Sequence, residues 1–67
     1  MSIEKFESII NREPKLFRNL IRYYGRSVLR RVLYAFENQQ SPTAIASQYA
    51  ITLEEALQIN RVFQAAA

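Results

Sequence analysis

A chain of 67 residues makes one domain, close to the lower size limit for folding without staples, and 49% of it is apolar. It has no Cys and no His, which excludes disulfides, the usual zinc sites, a histidine base and a thiol nucleophile. The formal net charge of +3 points towards an anionic partner.

Tight helix packing, or burial against a second copy, is what remains to stabilise so small a core. One Gly and two Pro favour continuous helices over hairpins. No apolar run approaches the ~20 residues of a membrane span, and the start lacks a basic, apolar, small-residue leader pattern. A soluble cytoplasmic protein is expected, with no membrane association.

Five helices are predicted, giving an all-α fold: a compact bundle of about five short helices in one domain, 1–67. Ser2 caps the first, whose buried stripe is Ile3, Phe6, Ile9 and Ile10. Pro14 disfavours helix in the residue before it, so this helix ends between Asn11 and Glu13. The second runs from Pro14 to about Tyr24, burying Leu16, Phe17, Leu20, Ile21 and Tyr24. Gly25 is its natural stop. Ser27 either caps the third or simply continues into it; this helix buries Val28, Leu29, Val32, Leu33 and Phe36 and ends near Asn38-Gln39-Gln40. At about 100° per residue, the apolar centres of 16–24 and 28–36 differ by roughly 120°. A break at Gly25 lets both face one core.

Ser41 and Pro42 suit the N-cap and first position of a fourth helix, with Ile45, Ala46 and Tyr49 on one stripe. Thr52 and Glu55 stand at capping-box spacing and open a fifth helix, running to about Gln64 with Ala56, Ile59 and Phe63 inward. Only Ala50 and Ile51 turn the corner between them, which forces a steep crossing.

Arg31 to Thr52, and above all Ile45, Ala46, Tyr49, Ile51 and Thr52, resembles the helix-turn-helix domains of bacterial and phage transcription regulators. The likeness is at superfamily level and places a helix-turn-helix at about 42–64. It implies that the fourth helix crosses the DNA backbone and the fifth reads the major groove. The base-facing residues would then be Thr52, Glu54, Gln58 and Arg61. Glu54 accepts from cytosine N4, Gln58 pairs with adenine and Arg61 with guanine. Two positions depart from the pattern: Ala50 stands where Gly is usual, and Asn60 where an apolar residue is usual.

The charge is unevenly distributed. Lys15, Arg18, Arg22, Arg26, Arg30 and Arg31 fall within seventeen positions that hold no acidic residue. Arg18, Arg22, Arg26 and Arg30 recur every four residues. Like charges at that spacing repel along a helix, so an anionic partner is the simplest compensation. Arginine favours two-point contacts with phosphate or carboxylate.

Two readings follow. The first is a small DNA-binding transcriptional regulator, a homodimer on double-stranded DNA, with the basic residues contacting phosphate. The second is a protein-interaction module whose basic face docks on an acidic protein partner. The six glutamates are scattered along helix surfaces, and a single Gly precludes a phosphate-cradling loop. No enzyme activity, cofactor or metal is expected.

Overall fold

A computed structural model describes residues 1–66. Five helices follow one another: α1 (Ile3–Arg12), α2 (Pro14–Tyr24), α3 (Arg26–Glu37), α4 (Pro42–Tyr49) and α5 (Leu53–Ala66). The architecture is all-α, with no strand among the described residues.

Local chemistry explains each boundary. The Ser2 hydroxyl accepts the Lys5 N–H at 3.1 Å and caps α1. Pro14 forces the joint to α2 into the single residue Glu13, at φ −137° and ψ 70°. α2 ends at Gly25, whose φ of 94° and ψ of 154° lie in territory that side chains rarely enter. The first three helices are thus hinged on single residues, and their stripes turn towards a common core.

α3 closes with a Schellman motif. Gln40 N–H donates to the Ala35 carbonyl at 3.1 Å and Gln39 N–H to Phe36 at 2.9 Å, with Gln39 at φ 66°. α4 ends in the same way: Ala50 is left-handed at φ 57°, and Ile51 N–H reaches the Ala46 carbonyl at 3.2 Å. A non-glycine residue in this region carries strain of roughly 1–2 kcal/mol. After allowance for the extra flexibility of an unfolded glycine, Ala50→Gly is expected to stabilise the protein by about 0.5–1 kcal/mol. A rise in the urea midpoint at constant m would show it, whereas a fall would mean the Ala50 methyl packs usefully.

The core is built from Phe6, Ile9, Ile10, Phe17, Leu20, Leu29, Val32, Leu33, Ala35, Phe36, Ile45, Ile51, Ala56, Ile59 and Phe63. α3 contributes more of it than any other helix, because it packs against α2, α4 and α5. Phe36 stacks on Phe63 with ring centroids 6.3 Å apart. No polar or charged side chain is buried among the described residues, so packing and apolar transfer hold the fold together.

Ile3 corrects the sequence reading. It is 63% exposed, at the edge of the stripe that Phe6, Ile9 and Ile10 bury. Met1, on the other side of the Ser2 cap, packs against the core instead. Val28, Leu16, Ile21 and Tyr24 are only partly buried at the core margin, while Ala35 is buried without having been anticipated.

Candidate functional site

The α4–α5 corner is held by reciprocal bonds. The Ser41 hydroxyl accepts the Ala44 N–H at 3.2 Å and starts α4. At the start of α5, Glu55 N–H donates to the Thr52 hydroxyl at 3.0 Å, and Thr52 N–H donates to Glu55 Oε1 at 2.9 Å. This is the capping box expected from the spacing.

A third bond ties the corner to the rest of the bundle. The Tyr24 hydroxyl, at the end of α2, donates to the same Glu55 oxygen at 2.6 Å. This bond, together with partial burial and the Glu55 charge, pushes the Tyr24 phenol up to about 12. Desolvation works to raise the Glu55 carboxyl, but the bonds from Tyr24 and Thr52 outweigh it and hold the group below the usual carboxylate range.

The sign follows from that direction. A carboxyl depressed in the folded state stabilises at neutral pH, and the contribution disappears as pH falls through its folded value. Tyr24→Phe is therefore expected to lower the urea midpoint at pH 7 and to narrow the midpoint difference between pH 7 and pH 3. An unchanged midpoint at both pH values would mean the bond contributes nothing.

The faces of α5 are distinct. Ala56, Ile59 and Phe63 point into the core. Outward lie Glu54, Leu57 and Arg61, with Leu53 beside them; Leu53 and Leu57 remain 47% and 46% exposed. Of the four residues expected to face bases, Thr52, Glu54 and Arg61 are exposed. Gln58 is half-buried and turns towards the α1–α2 joint, where it lines an open groove of about 510 Å³ with Arg12, Glu13, Leu16, Arg61 and Val62. Leu57 and Gln58 thus lie towards opposite margins of the outward face, with Glu54 and Arg61 between them.

The basic residues divide into two groups. Lys15, Arg18 and Arg22 are exposed on α2, and Arg26, Arg30 and Arg31 are exposed on α3. The positive φ at Gly25 separates the groups, so the four-residue recurrence is not one continuous stripe. Arg26 is ion-paired with Glu7, its guanidinium 5.0 Å from the centre of the Phe6 ring. Arg30 lies over the same ring at 5.8 Å. Among the described residues, Arg26 is the one member of the basic run with an ion-pair partner.

A second groove, about 340 Å³, is lined by Met1, Ser27, Arg30, Arg31, Tyr34 and Tyr49. Ser27, Arg30, Arg31 and Tyr34 share a face of α3 by their spacing, and that pattern was available in the sequence. Tyr49 comes from α4, and only tertiary packing brings it there. Tyr23 stands apart, 79% exposed at the end of α2.

No known protein family, no curated protein and no solved structure matches this chain.

Proposed function

We propose that this chain is a small DNA-binding transcriptional regulator that uses α4 and α5 as a helix-turn-helix. The observation that carries this reading is the three-residue connection 50–52. It ends α4 in a left-handed residue and starts α5 in a reciprocal cap, leaving Glu54, Leu57 and Arg61 on a continuous outward face. In the major groove, Arg61 suits guanine, Glu54 suits cytosine N4, and Leu57 suits a thymine methyl. Thr52 opens the helix, and Gln58 reaches bases only from the margin. The basic residues without carboxylate partners, Lys15, Arg18, Arg22, Arg30 and Arg31, provide phosphate contacts. A copy of this size covers few base pairs, so the working form is a homodimer on a two-fold site.

The test is fluorescence anisotropy with short duplex DNA over a range of salt. Affinity is expected to fall steeply with salt, since each neutralised phosphate releases counterion. Arg61→Ala is expected to weaken binding by about ten-fold, the scale of one lost base contact. No binding to any duplex at low salt would end this reading.

One observation favours a second reading. Leu53 and Leu57, four residues apart and half-exposed on α5, form an apolar edge better suited to a protein groove than to a duplex. In that case the chain is a non-enzymatic module whose basic surface docks on an acidic protein. Leu53→Ser distinguishes the two readings: DNA affinity survives it, whereas docking of this edge on a protein does not.

A further inference from the structure

We propose that the groove between α3 and the end of α4 is a cradle for the phosphodiester backbone of nucleic acid. This deepens the regulator reading and rests on it for the identity of the ligand. Every polar side chain lining the groove, namely Ser27, Arg30, Arg31, Tyr34 and Tyr49, can donate a hydrogen bond, and no carboxylate lines it. The groove beside Gln58 differs, because Glu13 stands in its wall.

The donors are uncommitted. Neither guanidinium has an ion-pair partner, and neither the Tyr34 nor the Tyr49 hydroxyl has a hydrogen-bond partner among the described residues. Two carboxylates on the neighbouring helices are already occupied. Glu7 is paired with Arg26, and Glu37 is held by Lys5 at 2.9 Å and by the Met1 ammonium at 3.1 Å. Packing over Phe6 at 5.8 Å restrains the Arg30 guanidinium before any ligand arrives.

Two forked cations beside two phenols match a chain of phosphate oxygens, which accept two-point contacts from arginine and single bonds from hydroxyls. Ser27 also lies in the first turn of α3, which begins without a side-chain cap. The positive end of that helix therefore adds to the attraction. Tyr49 belongs to α4, so an occupied groove fixes the backbone against the helix that precedes α5.

The experiment is an amide-shift NMR titration of the full chain with an abasic deoxyribose-phosphate oligomer, which offers phosphodiesters and no bases. Saturating shifts at Ser27, Arg31, Tyr34 and Tyr49 are expected. Arg31→Gln should weaken binding about ten-fold, and Tyr49→Phe should weaken it measurably, with circular dichroism reporting that both variants remain folded. Shifts confined to Lys15, Arg18 and Arg22, or no shifts at all, would overturn the cradle.

Duplex DNA provides the second arm. Removing the Arg31 charge should lower the salt slope by about one. A wild-type duplex complex whose slope ignores Arg31→Gln would refute the cradle and leave the regulator reading standing. Oligomer binding without any duplex binding would do the reverse.

Discussion

Phe17→Ala is expected to remove most of the stability of this protein. Phe17, on α2, has no exposed surface and sits in the core. Truncating a buried phenylalanine to alanine typically costs about 3–5 kcal/mol, as transfer energy plus the cavity left behind. At about 0.05–0.15 kcal/mol per residue, a domain of this size holds only ~3–10 kcal/mol in total. With no disulfide or metal to compensate, the variant should be partly or wholly unfolded at room temperature. Far-ultraviolet circular dichroism against urea would show a midpoint shifted far towards zero. A shift of less than about 1 kcal/mol would mean that the core is arranged differently from the one described.

The second large effect belongs to Gly25. A Cβ built on this residue meets nothing within 4 Å, so Gly25→Ala introduces no clash. Its cost is purely conformational, because φ 94° with ψ 154° is open essentially to glycine alone. The penalty is expected at about 1–3 kcal/mol. Urea denaturation of Gly25→Ala measures that cost as a fall of the midpoint at constant m. If L-alanine proved neutral, α2 and α3 would be running on as one helix. Arg18, Arg22, Arg26 and Arg30 would then align as a single stripe and the two-group arrangement described above would be lost. Stability at one glycine and the shape of the basic surface are therefore the same question.

The helix boundaries were legible in the sequence because the forces that set them act within about four residues. Ser2, Ser41 and the Thr52–Glu55 pair cap the helices they were expected to cap, and Pro14 and Gly25 stop helices by restricting or freeing the backbone. The inward stripes of α3 and α5 were readable for the same reason, since helical periodicity places Leu29, Val32, Leu33 and Phe36, or Ala56, Ile59 and Phe63, on one side. The all-α bundle follows from these short-range rules.

Sequence alone, then, determined closely where each helix starts and stops and, Ile3 apart, which side it turns inward. Tertiary structure decided which polar groups are committed and which are free. Tyr24 meets Glu55 across thirty-one positions, a pairing that no local spacing encodes. Arg26 is neutralised by Glu7 while Arg30 and Arg31 are not, and Tyr49 arrives from another helix to stand beside them. Gln58 turns to the α1–α2 joint, and Met1 rather than Ile3 covers the core. The physical reason is one of range. Caps and periodicity depend on neighbours along the chain, whereas the partner of a long charged or aromatic side chain depends on which helix packing brings within a few ångströms of it.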